Sequence, residues 1–292
     1  MFATGNRLPL QVLEFPDFKE GMLEEVENLR EEGNELAALL ETLGEADWRR
    51  PTPFKQWTVF DVVGHLHYSD RCAIAALKGR ETFDKETAAM RSVIERGGSL
   101  RDFTRDELGA LGGGRMLALW RDAFRDMCDR FAALDPKTRL PWFGPDMGLR
   151  MFTTARQMET WAHGQDVYDL LERPRRYADR IRSIAHIGVS TFGWTFANRR
   201  LPSPGRAPYV RLTAPSGAIW EWNDPDDGNR VEGSAAEFCH VVTQNRNVAD
   251  TSLVVVGEPA KQWMAIAQCF AGNPENPPPP GARTGAAGLA SA

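Results

Sequence analysis

The chain is poor in cysteine: Cys72, Cys128, Cys239 and Cys269 lie far apart among 292 residues and form no Cys-x-x-Cys pair. That spacing indicates neither a zinc ribbon nor a disulfide framework, and the helical, partly apolar surroundings of Cys72, Cys128 and Cys239 predict buried reduced thiols. Long hydrophobic runs are missing too; none reaches the roughly 18 residues of a membrane span. The N-terminus MFATGNRLPLQVLEF has no basic segment followed by an apolar core, so a secretory signal is not indicated. These absences predict a cytoplasmic protein without a membrane partner. Positive charge is also short, with a formal net charge of -5. A nucleic-acid partner is not expected, because it would need a concentrated basic face. The local cluster Arg173, Arg175, Arg176, Arg180 and Arg182 is flanked by acidic residues and reads as a solvated helix entry.

What is present is enough for real cores. Hydrophobic residues make up 42% and charged residues 26%, at a length that accommodates two ordinary domains. Helices come first. Apolar residues from Met22 to Leu43 recur at helical spacing, which makes residues 1–21 a short extension or an over-called start. Pro51-Thr-Pro53 forces an extended connection, and Thr58-Val-Phe-Asp61 is a capping box that opens the next helix, with Trp57 and Val62 as its staple. Further helices are predicted over 82–97, after the glycines 112–114, over about 149–171 and over about 177–197; Thr104 offers another capping pattern. Long helices with short to moderate loops imply a bundle. The character changes after Pro202–Pro208. Tyr209–Thr213 and Ala218–Trp222 alternate as a hairpin, followed by a short strand at 229–232, a helix at 234–244, a strand at 252–256 and a helix at 258–270. The fold class is therefore α+β: a helical bundle over 22–200 and a separate small α/β unit over 207–271. The Pro-, Gly- and Ala-rich tail, 272–292, is expected to be disordered.

Three side chains carry the chemistry. Glu159 and His163, in RQMETWAHGQDVYDLL, are four residues apart and share one helix face. His65 lies in the second turn of the well-capped helix after Thr58, where its position is rigid. Two imidazoles and a carboxylate from two helices form the ligand set of an open divalent-metal site, with one position left for water or substrate. A single buried histidine is more often a hydrogen-bonded core residue; the register of Glu159 with His163 shifts the reading toward ligation. His67 lies about 200° around the helix from His65, so both cannot face one site. His186 and His240 have no partner in the sequence and read as structural.

Residues 22–200 resemble the DinB-like, mycothiol-dependent maleylpyruvate isomerase N-terminal domain superfamily. The resemblance rests on Ala46-Asp-Trp-Arg-Arg-Pro-Thr-Pro53, on Trp57-Thr-Val with Asp61 and His65, and on Glu159 with His163. It implies a four-helix bundle in which His65, Glu159 and His163 hold a divalent metal, usually zinc. The C-terminal unit, through Gly233-Ser-Ala-Ala-Glu-Phe-Cys239, Val242-Thr-Gln244 and Gly257-x-x-Ala260-x-x-Trp263, resembles the α/β domain that follows the bundle in an uncharacterised metal-binding subgroup. That domain is sometimes labelled wyosine-base formation, which implies tRNA modification; the acidic balance gives it no independent support.

The resemblance further implies a low-molecular-weight thiol, such as mycothiol or bacillithiol, that adds as thiolate to a small electrophile in an isomerisation or S-transfer. No cysteine of this chain is placed to supply the thiol, so it comes from a cosubstrate. Arg156, one turn before Glu159, is a candidate clamp for a substrate carboxylate. Asp166, three residues after His163, is a candidate to orient that imidazole. The thiol's tail would lie in the cleft between bundle and α/β unit. Two other classes stay open: a zinc hydrolase or non-haem iron enzyme, and a non-catalytic binding module that the metal merely braces.

Overall fold

The structure is a computed structural model that describes residues 23–283. The expected N-terminal extension, 1–21, and the last part of the expected tail, 284–292, lie outside the described residues. Four long helices form the bundle: α1 (Glu24–Leu40), α2 (Val59–Ala76), α5 (Gly113–Ala132) and α6 (Leu149–Leu170), with α3 (Arg80–Glu95) and α4 (Leu100–Leu108) packed on α2. α1 and α2 each contact both α5 and α6, which closes the ring. Leu29, Leu36, Val62, Leu66, Met116, Trp120, Met127 and Phe131 fill its interior with almost no exposure. A small two-stranded pairing, β1 (Arg139–Leu140) with β2 (Met147–Gly148), leads into α6.

The capping box at α2 forms as the sequence indicates. Thr58 Oγ1 accepts from Asp61 N at 3.2 Å, and Asp61 Oδ2 accepts from Thr58 N at 2.8 Å. Arg105 then grips the same carboxylate at 2.6 Å. The second box is displaced from the expected Thr104: Ser99 and Asp102 make it, and Thr104 lies inside α4 with its hydroxyl turned back to Arg101 O.

The predicted helix over 177–197 is broken into α7 (Arg182–Ser190) and α8 (Phe192–Asn198). At the break the hydroxyls of Ser190 and Thr191 bond back to the carbonyls of His186 and Ile187, each at 2.8 Å. Such back-bonding competes with the helical ladder and bends it.

Beyond α8 lies a mixed sheet of order β4-β3-β5-β6: β3 (Tyr209–Thr213), β4 (Ile219–Trp222), β5 (Arg230–Ser234) and β6 (Val254–Val256). The hairpin register pairs Val210 with Trp222 and Leu212 with Trp220, turning through Gly217 at φ 87°. β3 also pairs parallel with β5. Helices α9 (Ala235–Val242) and α10 (Glu258–Ile266) complete the unit.

The two parts are less separate than the sequence implies. A second core joins Met158 and Trp161 of α6 to α7, α8, the sheet and both late helices. α7 and α8 therefore belong to the C-terminal core, and the α/β unit is built against a bundle helix. The arginine cluster is solvated only in part: Arg173, Arg176 and Arg182 are exposed, whereas two members turn inward. Arg175 is buried and binds Glu32 and, at 3.0 Å, Glu35; Arg180 pairs with the same two carboxylates. Residues 272–283, expected to be disordered, instead run packed along the junction. Asn247 Nδ2 donates to Pro278 O at 2.8 Å, and Asp250 accepts from Gly281 N at 2.9 and 3.0 Å. Cys72, Cys128 and Cys239 are free and buried, as their surroundings predict, and Cys269 is free and buried too. Among the described residues no helix is long and apolar enough to cross a membrane.

Candidate metal centre

α2 delivers His65 and α6 delivers Glu159 and His163 to one point. One ligand atom from each lies within 4.8 Å of the other two. His65 Nε2 is 3.2 Å from Glu159 Oε2, and His163 Nε2 is 3.6 Å from the same oxygen. Ligands about 2.1 Å from a tetrahedral ion sit about 3.4 Å apart, so these spacings fit a first-row divalent ion. The donor set of two imidazoles and one carboxylate suits the same ions. The side chains are recessed but reachable, with exposures of 15% for His65, 25% for Glu159 and 11% for His163.

Electrostatics favour the ligating forms. Burial would raise Glu159, but the hydrogen bond with His65, together with the neighbouring imidazoles and Arg156, outweighs it and holds the carboxyl at about 2. Burial lowers His65 against the pull of Glu159, keeping its imidazole neutral. His163 is oriented from behind: its Nδ1 lies 3.0 Å from Asp166 Oδ2. A hydrogen on Nδ1 leaves the Nε2 lone pair free toward Glu159.

The trio lines a cavity of about 440 Å³ at the junction of the two cores. Its lining includes the apolar Phe54, Trp57, Met158 and Phe270 and the amide side chains of Gln244, Asn245, Asn273 and Asn276. Trp57, read from the sequence as half of the hydrophobic staple, stacks parallel to His163 at 5.9 Å and edge-on to His65 at 5.5 Å. It is set there by a tight turn in which Trp57 N donates to Phe54 O at 2.8 Å, with Lys55 and Gln56 at φ 48° and 57°. Two successive left-handed residues that are not glycine cost energy, and such strain gathers at functional sites.

Arg156 does not join the cavity. Its Nε and Nη2 donate to Asp70 Oδ1 at 3.1 and 2.9 Å, deep between α2 and α6, so its guanidinium is committed to the bundle and not offered to a substrate. His67 is buried on another face, and neither His186 nor His240 lines the cavity. Asn245 and Arg283, which sequence reasoning passed over, do line it. The one signal for Arg283 is its being the lone charge after Pro277–Pro280.

Fold and site together define a four-helix-bundle protein with a His/Glu/His cluster facing an appended α/β unit. Residues 29–168 match the mycothiol maleylpyruvate isomerase N-terminal domain family, and the chain belongs to that family, within the DinB-like superfamily. Two uncharacterised proteins, from the CDC 1551 / Oshkosh and ATCC 25618 / H37Rv strains of Mycobacterium tuberculosis, are each 38% identical over 249 residues, covering 85% of this chain and 96% of the relative. A crystal structure of the mycothiol-dependent maleylpyruvate isomerase superposes with a TM-score of 0.47 at 13% identity, over 75% of this chain and 87% of that one. A mutant of it gives 0.45 at 14% identity, with the same coverage.

Proposed function

We propose that this protein binds a divalent metal, zinc by its donor set, at His65, Glu159 and His163, and uses a low-molecular-weight thiol of the mycothiol class to isomerise, or transfer sulfur to, a small electrophile. The observation that carries the reading is the convergence of these three side chains on a cavity of a size that takes a small molecule. Membership of the family supports the thiol.

A divalent ion held there would lower the pKa of a thiol or water in its open position toward neutrality. The chain's own side chains supply the rest. Glu159 stays ionised and brings the negative charge of the donor set. Asp166 accepts from His163 Nδ1 and fixes the ring. Trp57 and Phe54 pack on the imidazoles and shield them from bulk water, while Asn273 adds a polar side chain to the lining. No cysteine of the chain can serve as nucleophile: burial pushes Cys72 and Cys128 up to about 12 and raises Cys239 and Cys269 as well. A thiol so shifted is inert, so the nucleophile must arrive as cosubstrate.

The test is elemental analysis of untagged protein beside His65→Ala and Glu159→Ala. The expected result is about one zinc per wild-type chain and little in either variant, followed by turnover of maleylpyruvate-like electrophiles only when a thiol is added. Wild-type protein that holds no metal after incubation with excess zinc would overturn the reading.

A further inference from the structure

The bundle contributes every candidate ligand, yet the groups that hold one ligand in place come from the C-terminal half. Asp166, with 1% of its side chain exposed, divides its two oxygens between tasks. Oδ2 faces His163 Nδ1 at 3.0 Å. Oδ1 accepts from Asn245 Nδ2 at 3.3 Å and from Arg283 Nη2. A buried carboxylate without such donors would leave polar oxygens unpaired and be free to rotate.

Both donors are themselves fixed. Asn245 follows Gln244, which takes φ 60° at the end of α9 and turns the chain back onto α6. Its Nδ2 also donates to Ala162 O at 3.0 Å, and its Oδ1 accepts from Thr243 Oγ1 at 2.8 Å. Arg283 is delivered by the 272–283 segment. Gln244 Nε2 donates to Glu275 O at 2.8 Å, Arg199 bonds the same carbonyl, and Lys55 pairs with the Glu275 carboxylate at 2.9 Å. The Arg283 guanidinium lies 5.9 Å from the Phe54 ring and is nearly sealed from solvent. The nearby Arg246 cannot take its place, because Asp169 holds it at 2.6 and 2.7 Å.

We propose that Arg283 and Asn245 are positioning residues that act through Asp166 to set the orientation and tautomer of His163, so that docking of the 272–283 segment completes the metal centre. This rests on the reading of His163 as a ligand. The imidazole nitrogen that binds a metal is chosen by the hydrogen bond at the other nitrogen. Arg283 and Asn245 fix the Asp166 side chain, its Oδ2 faces Nδ1, and Nε2 is left toward Glu159. The C-terminal half thus participates in the site without contributing a ligand.

The test uses the full chain and two readouts: zinc affinity by competition with a chromogenic chelator, and the ring tautomer of His163 in metal-free protein by long-range proton–nitrogen NMR. Arg283→Met is expected to weaken zinc binding by at least ~10-fold and to lose the Nδ1–H signature, with Arg283→Lys recovering most of both. Tyr177→Phe, which loosens the same junction by removing the hydroxyl between Gln165 of α6 and His240 of α9, should leave both readouts as in wild type. Asn245→Ala reads the same relay from its other arm if Arg283→Met fails to fold. Wild-type affinity and tautomer in Arg283→Met, or equal losses in Tyr177→Phe, would overturn the proposal. If wild-type protein binds no zinc, the ligand reading fails by itself, and the tautomer comparison still decides whether Arg283 controls His163.

Discussion

Arg156 of α6 and Asp70 of α2 form a buried ion pair, 2.9 Å at its shortest, between the two helices that carry His65, Glu159 and His163. Each pair member lies within two turns of a candidate ligand on its own helix. The second oxygen of Asp70 accepts from Trp120 Nε1 at 3.1 Å, which ties in α5. The pair therefore fixes the helix spacing on which the ligand cluster depends. Removing one partner strands a buried charge, so Arg156→Met should destabilise the protein by about 3–5 kcal/mol in urea unfolding. The double variant Arg156→Met with Asp70→Leu should recover most of that loss. A single variant as stable as wild type would show that the pair does not hold the helices.

A metal shared between α2 and α6 cross-links them and is absent from the unfolded chain. With free zinc about 100-fold above its Kd, the native state gains about 2.7 kcal/mol. For a chain of this size that corresponds to roughly 5–10 °C in Tm. Chelation should lower the melting temperature by that amount, and His163→Ala should melt at the same temperature with and without chelator. An unchanged wild-type melt on chelation would count against a structural link through the ion.

Two neighbouring glycines at the start of α5 should respond in opposite directions. A Cβ on Gly113 would sit 2.2 Å from the indole of Trp48, which is only 2% exposed and cannot retreat. Gly113→Ala should cost about 1–3 kcal/mol through overpacking. At Gly114, exposed in the first turn, nothing lies within 4 Å of the added atom. Gly114→Ala should gain about 0.4–1 kcal/mol by restricting the unfolded chain. Denaturant midpoints of the two variants beside wild type check both signs.

Local signals made much of this fold legible. The Thr58–Asp61 box places α2, the spacing of Glu159 and His163 places both on one face, and the alternation from Tyr209 to Trp222 gives the hairpin. What stayed hidden depends on partners distant in sequence. Arg156 looks available one turn from Glu159 until Asp70, 86 residues earlier, takes it. Arg175 looks solvated until Glu32, 143 residues away, meets it in the core. The 272–283 segment has the composition of a flexible tail, and its order comes from Arg199, Gln244, Asn247 and Asp250 capturing its backbone. The parallel pairing of β3 with β5 is likewise non-local, with no periodicity to announce it.

Histidines buried in their neutral form should make the protein acid-sensitive, and His240 is the sharpest case. Its ring packs 4.6 Å from Trp161, and its Nε2 hydrogen-bonds with Tyr177 Oη at 2.7 Å. Burial drives its pKa well below the usual imidazole value, and the surrounding Arg246, Arg175 and Arg283 push it further down. Burial, with help from Arg71, likewise takes His67 down to about 4. A folded-state pKa below the unfolded value means that the unfolded chain takes up the proton first. The stabilisation is complete above about pH 6.5 and is lost as pH falls toward the folded value, at up to about 1.4 kcal/mol per pH unit for each such residue. Asp70, which burial raises to about 6 against the pull of Arg156, and Glu32, also raised by burial, work in the opposite sense over part of that range. The clean measurement is therefore a difference between urea unfolding of wild type and His240→Gln at pH 7.5, 6.0 and 5.0. A glutamine amide can still hydrogen-bond with Tyr177 but does not titrate. The variant should lose less stability per pH unit below 6.5 by about 1.4 kcal/mol, and parallel pH profiles for the two proteins would show that His240 is not held neutral by the fold.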